Sequence, residues 1–153
     1  MAAARSFSPR RQAGFTLIEM IVVITILALA MTIVPAITKG IASSRLRAAS
    51  DSLVAALRAA HLEALRQDAL ITFSLNLPGR SYGLSGSPGL RRLPGTVTRL
   101  EVSPAALADA RGMVLLRFQP DGSATPARIV LWGGLSHRAI RIDWLTGRVR
   151  QGD

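Results

Sequence analysis

The side chains with chemistry in this 153-residue sequence are few and far apart. Its two histidines, His61 and His137, stand 76 positions apart, and there is no cysteine. A thiol nucleophile, a thiolate metal site and a disulfide framework are therefore excluded. No Gly-x-Ser-x-Gly elbow and no phosphate loop ending in Gly-Lys occurs. Asp109, Asp121 and Asp143 are isolated from one another. Asp121 lies in Pro120-Asp121-Gly122, a turn signal, and the alternating acids of a calcium loop are missing. His61 borders an apolar stripe and reads as a boundary residue. His137, beside Gly133 and Gly134, reads as a solvated loop residue. No catalytic residue, no metal ligand and no cofactor is expected. Two constellations are left: one acid inside an apolar block, and a cluster of arginines.

The acid is Glu19. It is the one charge in the twenty residues from Phe15 to Val34. A helix of that length spans about 30 Å, the hydrocarbon thickness of a bilayer. Arg5, Arg10 and Arg11 precede it with no acid among them, the layout of an export or insertion leader. Three readings fit. One is a secretory signal cut near Ala28-Leu29-Ala30, another a plain membrane anchor. The third is a leader cut between Gly14 and Phe15, with the apolar helix retained. A carboxylate deep in such a helix costs about 2.5–3.5 kcal/mol on insertion scales. Neither a disposable signal nor a lone anchor offsets that cost. Cleavage after Gly14 does, because it creates an α-amine on Phe15, four residues from Glu19. Such an amine has a reference pKa of about 8 and is largely protonated at neutral pH. A buried charge is tolerated when paired, here with an ammonium on the same chain or a neighbour.

The second constellation is basic. Nineteen basic residues face nine acidic ones, for a net charge of +10, and all the basic residues but Lys39 are arginine. Arg138, Arg141, Arg148 and Arg150 crowd the end of the chain against Asp143 and Asp153. Arg148 and Arg150 alternate and would share one strand face. They read either as a solvated surface or as a patch for phosphates, which arginine neutralises without reading sequence. Aromatic residues make up 5%, too few for a base-stacking surface. Charge bias does not orient the apolar block, since Lys39, Arg45 and Arg47 on its far side balance the leader arginines.

The elements that would hold these groups follow from periodicity. Pro35 stops or kinks the first helix, Gly40 is a second weak point, and Ser43 or Ser44 would cap a restart. Leu46, Ala49, Leu53, Leu57, Ala60 and Ala64 recur at three or four, an amphipathic stripe. Glu63 and Arg66 are spaced to pair. One long helix from Phe15 to about Ala69, bent near Pro35 and Gly40, is predicted. Beyond Leu70 the period becomes two. Strands are predicted at Ile71–Leu75, Ser81–Leu84, Thr96–Val102, Met113–Phe118, Ala127–Trp132 and Arg138–Trp144. A last strand carries Arg148-Val149-Arg150. Ser85–Gly89 reads as a flexible loop and Ser103–Gly112 as an irregular or short helical link. A helix followed by short antiparallel strands is an α+β domain.

Arg11-Gln12-Ala13-Gly14 followed by Phe15-Thr16-Leu17-Ile18-Glu19 resembles the type III signal of type IV pilins and type II secretion pseudopilins. Phe118–Ser123, Arg128–Leu131 and Ile142–Arg148 resemble the C-terminal domain of the GspH/FimT group of minor pseudopilins. That resemblance implies cleavage after Gly14 by a prepilin peptidase, N-methylation of Phe15, and pairing of Glu19 with the amine of an adjacent subunit. It implies a pilin-like α+β fold, with a long N-terminal helix on a C-terminal antiparallel β-sandwich. The segments would be a leader at 1–14, a transmembrane and fibre-core helix at 15–35, an amphipathic helical half at 36–69 and a periplasmic β-domain at 70–153. The implied function is structural, that of a type II secretion minor pseudopilin at or near the tip of the periplasmic pseudopilus. The implied location is the inner membrane of a Gram-negative bacterium, N-terminus cytoplasmic. The implied partners are other major and minor pseudopilins, the peptidase, membrane lipid before assembly, and secreted cargo. The alternative is a FimT-like minor type IV pilin that captures DNA for transformation, with Arg148 and Arg150 on the phosphates.

Overall fold

A computed structural model describes residues 16–87 and 89–152 and, for residues 32–42, the helical backbone alone. The chain divides into two compact units, residues 1–38 and 39–153. Helix α1, Leu17–Gln67, contributes to both. The helical assignment runs through Pro35, Gly40, Ser43 and Ser44, so the restart expected at the serines does not occur. α1 ends on Asp68, whose φ of 48° turns the chain left-handed. The Ala69 N–H then returns to the Ala64 carbonyl at 3.2 Å, the closure that satisfies a helix's last carbonyls.

In the first unit every described side chain of α1, Leu17 to Met31, is exposed. None of its large apolar residues is less than 45% exposed. Among the described residues no helix is long and apolar enough to cross a membrane. The segment expected to do so, Phe15–Val34, extends past the described side chains at both ends.

The second unit begins with the amphipathic half of α1. Leu46, Ala49, Leu53, Leu57, Ala60 and Ala64, the predicted stripe, are all buried, with Ser50 and Val54 beside them. Strands follow at β1 (Ile71–Asn76), β2 (Ser81–Leu84), β3 (Arg91–Arg92) and β4 (Arg99–Ser103). After a short 3-10 turn at Ala105–Leu107 come β5 (Met113–Phe118), β6 (Ala127–Gly133), β7 (Ser136–Ile142) and β8 (Val149–Gly152). They form two four-stranded sheets, β3-β2-β1-β5 and β4-β6-β7-β8, in which every pairing is antiparallel. Alternation sends Val114, Leu116 and Phe118 of β5 and Ala127, Ile129 and Leu131 of β6 into one core with the helical stripe. Leu115, Arg117 and Arg128 point the other way and are exposed, as a period of two requires.

Three details differ from the periodicity. β3 was not anticipated. β4 starts at Arg99 rather than Thr96, because Val97 N–H closes a turn onto the Pro94 carbonyl at 2.9 Å. β7 starts at Ser136, since Gly134 with φ 62° and Leu135 form a two-residue hairpin between paired Gly133 and Ser136. His137 is therefore a strand residue, not a loop residue.

Each isolated aspartate organises a turn through its own side chain. Asp109 Oδ1 accepts the Arg111 and Met113 N–H groups at 2.9 and 2.8 Å. Asp121 Oδ1 accepts the Ser123 N–H and hydroxyl at 2.8 and 2.6 Å. Asp143 Oδ1 accepts the Thr146 N–H and hydroxyl at 2.9 and 2.8 Å and the Leu145 N–H at 3.1 Å. The Thr146 N–H, then its hydroxyl, hold the Asp143 carboxyl below its ordinary value, with the Leu145 N–H and the charge of Arg150 adding to the effect. Gly147 completes that turn, buried and at φ 59°. A Cβ there would lie 2.6 Å from the Gly122 carbonyl and 2.8 Å from the His61 ring.

Gly147→Ala should lower the unfolding free energy by about 2–4 kcal/mol, combining a left-handed residue with an overpacked site, read as a shift in denaturant midpoint. Leu57→Ala, at a fully buried position, should cost about 2–5 kcal/mol. The depressed Asp143 carboxyl stabilises the fold above its unfolded pKa, and that contribution is lost as pH falls through the folded value. Asp143→Asn should therefore lower the thermal midpoint at neutral pH, with the gap to wild type closing as the solution is acidified below about pH 4.

Candidate functional site

The first candidate is the start of α1. Gly14 and Phe15, the expected processing pair, lie outside the described residues. Thr16 precedes the helix, and its hydroxyl and carbonyl oxygens accept the Glu19 N–H at 3.3 and 3.1 Å. Thr16 thus caps α1 and places Glu19 at the third helical position, the spacing of a Thr-x-x-Glu capping box. Glu19 is exposed in the first turn, where exposed N–H groups favour negative charge. Its backbone has a local role, while its carboxylate faces outward from a helix that is apolar on every other side. The cap was missed in the sequence, although Thr16-Leu17-Ile18-Glu19 spells its signature.

The second candidate is the arginine cluster. Arg148 and Arg150 are exposed on either side of buried Val149. β8 is pinned to α1 in two places. The Arg58 guanidinium donates to the Val149 carbonyl at 3.0 Å. The Gln151 amide donates to Asp51 Oδ1 at 2.6 Å and Ser50 Oγ at 3.3 Å. Arg148 and Arg150 line a depression of about 380 Å³ with Arg58, His61 and Leu62. Arg150 also belongs to a second group, which the sequence reading did not assemble. It stands directly opposite Arg141 on β7, and Arg141 stands opposite Arg128 on β6. The Gly133–Ser136 hairpin sets that register, so the pairing of Arg128 with Arg141 was legible once the turn was placed.

Of the histidines, His61 packs inward and His137 is exposed. The His61 ring stacks on Phe118 at 5.7 Å, and its buried Nε2 has no hydrogen-bond partner among the described residues. His137 lies against Trp132 with ring centroids 4.8 Å apart. The Trp132 indole N–H donates to Glu101 at 3.0 Å, and Arg99 also pairs with Glu101. Among the described residues no three His, Asp or Glu side chains come together to hold a metal ion.

Comparison with known proteins finds matches in both units of the chain. Residues 9–35 match the prokaryotic N-terminal methylation motif, and residues 49–147 match the family described as type II transport protein GspH. Type II secretion system protein H of Xanthomonas campestris pv. campestris is 28% identical over 144 residues, covering 94% of this chain and 85% of that protein. Two crystal structures of type IV minor pilin FimU from Pseudomonas aeruginosa PAO1 share the fold. One has a TM-score of 0.55 at 19% identity over 72% of this chain and 90% of that one. The other has 0.51 at 20% over 71% and 93%. The methylation motif marks a membrane-anchored N-terminus, and the family is one of structural subunits rather than enzymes. With its GspH match spanning most of the second unit, the chain belongs to the GspH family of pseudopilins and has the pilin-like fold.

Proposed function

We infer that this chain is a minor pseudopilin of a type II secretion system. It is a structural subunit at or near the tip of a periplasmic pseudopilus that drives folded proteins through the outer membrane. The observation that carries this reading is the helix from Leu17 to Met31, whose apolar side chains are exposed all round, interrupted only by Glu19 and Thr25. Such a helix needs a cover around its whole circumference. Lipid provides one before assembly, and the like helices of other pseudopilins provide one in a fibre. The second unit supports the reading differently, because its half of α1 already spends its stripe on the two sheets.

In this reading a prepilin peptidase cuts after Gly14 on the cytoplasmic side of the inner membrane and methylates Phe15. The β-domain stands in the periplasm. Glu19, capped in place by Thr16, pairs with the terminal amine of an adjacent subunit and sets the register between helices. The pair is worth having because its surroundings are apolar. A charge there without a partner is costly, so a subunit that stacks out of register is penalised.

The mature protein, purified from membranes, should begin at methylated Phe15 by mass spectrometry. A chain starting at Met31 would instead identify a secretory signal and remove the fibre reading. Glu19→Ala should insert as well as wild type, because it removes a charge from an apolar helix. Its incorporation into sheared fibres should fall by about a hundredfold or more, the equivalent of the roughly 3 kcal/mol or more lost when a buried ion pair loses one member. Glu19→Gln, which keeps the size and polarity of the side chain without its charge, should show the same loss. Normal incorporation of both variants would refute the pairing.

A further inference from the structure

The outward face of the second sheet carries a line of like charges. Arg128, Arg141 and Arg150 are direct cross-strand partners on β6, β7 and β8, with Ser103 of β4 at the end of the row. Each is exposed between buried chain neighbours: Ala127 and Ile129, Ile140 and Ile142, and Val149. The three therefore leave the sheet on one side. They line a single depression of about 310 Å³ that includes the small residues Ala139 and Gly152. Adjacent strands lie about 4.8 Å apart, so three guanidinium stems are rooted within about 10 Å. Among the described residues none of the three forms an ion pair or a side-chain hydrogen bond. Asp143 is the acid whose charge Arg150 feels, but the two do not come within ion-pair distance, and Asp143 Oδ1 accepts from Leu145 and Thr146. Like charges directly opposite one another weaken a sheet. The row works against the fold that presents it unless something anionic lies across it.

We propose that the row docks a line of carboxylates on a different, acidic subunit. The proposal rests on the pseudopilus reading, in which unlike subunits are neighbours. Arginine's planar fork matches a carboxylate with two parallel hydrogen bonds. A second copy of this chain is a poor occupant, since it too is strongly basic: its net charge is +10, and it stays well above zero once the leader with Arg5, Arg10 and Arg11 is removed. The surroundings favour a protein over nucleic acid. The next row on the same face is Glu101, Val130 and Ala139, ending at Gly152, and the one after it is Arg99, Trp132 and His137. On that side the positive row is bordered by a strip that holds the carboxylate of Glu101 and the apolar Val130 and Ala139, with a tryptophan beyond; on the other side Arg148 follows, across from Asp143, whose N–H donates to the Arg148 carbonyl at 3.0 Å. Arginine and tryptophan are the residues that anchor protein interfaces, and an apolar border adds nothing against a phosphate backbone.

The test titrates the full chain in detergent micelles by fluorescence anisotropy. The probes are a helical peptide with glutamate at every fourth position and, separately, a short DNA duplex. The peptide should bind in a salt-sensitive manner. Arg141→Ala should weaken it by about tenfold or more, the scale of one charge-assisted hydrogen-bonding group. Arg117→Ala on the other sheet should change it little. Arg128→Gln and Arg150→Gln should act in the same direction as Arg141→Ala. The thermal midpoints of Arg141→Ala and Arg128→Gln should equal or exceed that of wild type, because each relieves repulsion within the row; Arg150→Gln also gives up the attraction to Asp143 and is read for affinity alone. Peptide affinity indifferent to Arg141 would overturn the proposal. So would a duplex held more tightly than the peptide through the same arginines, or an Arg141-dependent dimer of the chain by light scattering. Leader cleavage and fibre incorporation do not enter the titration, so the docking row and the secretion reading fail separately.

Discussion

A single helix in this protein must satisfy two different surroundings. From Leu17 to Met31 it offers apolar side chains in every direction. From Leu46 onward it offers them along one stripe, with Arg47, Asp51, Arg58 and Arg66 off that stripe. The second pattern is answered within the chain, because two sheets cover the stripe and leave the polar face in water. Among the described residues of its own unit the first pattern has no answer. A rod greasy on all sides must be enclosed by lipid or by other rods, so the architecture itself calls for a membrane or an assembly. The division between residues 38 and 39 falls between these two regimes.

That constraint gives Glu19 its meaning. In water an acid in the first turn of a helix is an ordinary favourable feature. The Thr16 cap shows that this sequence starts its helix in the ordinary way. Enclosed among apolar side chains, the same acid becomes a demand for a positive partner. A terminal amine is the smallest cation a chain can provide, and in the proposed fibre it is made by the cleavage that frees the helix to assemble. One proteolytic step would then create both the mature subunit and the group that neutralises its acid.

Much of this was legible in the sequence because the two periods, 3.6 and two, are strong here. The stripe from Leu46 to Ala64 is buried as read, and the strands β1, β2, β5 and β6 lie where alternation put them. The departures occur where periodicity carries no signal. β3 is two residues long, too short to show a period. The beginnings of β4 and β7 were set by turns, one closing on Pro94 and one built on Gly134, whose geometry overrides the alternation running into them. Pro35 has no N–H for the helical ladder, yet helix persists on both sides of it, so a local breaker did not decide the element. Arg148 and Arg150 were adjacent in the sequence reading because they are close along the chain. In space Arg150 also stands directly opposite Arg141, with Arg128 one strand further on, and that is a fact of register rather than of composition.

Register also separates arginines that composition lumps together. Arg58 donates to the Val149 carbonyl and clamps β8 to α1. Arg80 spans to the Val97 and Thr98 carbonyls at 3.2 and 3.4 Å and ties the β1–β2 turn to the strand entering β4. Arg66 and Arg99 hold acids on their own elements. These four serve the fold by donating to oxygen atoms that the chain supplies. Among the described residues Arg128, Arg141 and Arg150 donate to no such oxygen, although the same long side chain and the same fork would allow it. A surface meant only to stay soluble has no reason to align three like charges on neighbouring strands, where spacing maximises their repulsion; scattering them would keep the solubility and spare the sheet. The alignment therefore points outward, to an anion that none of the described residues supplies.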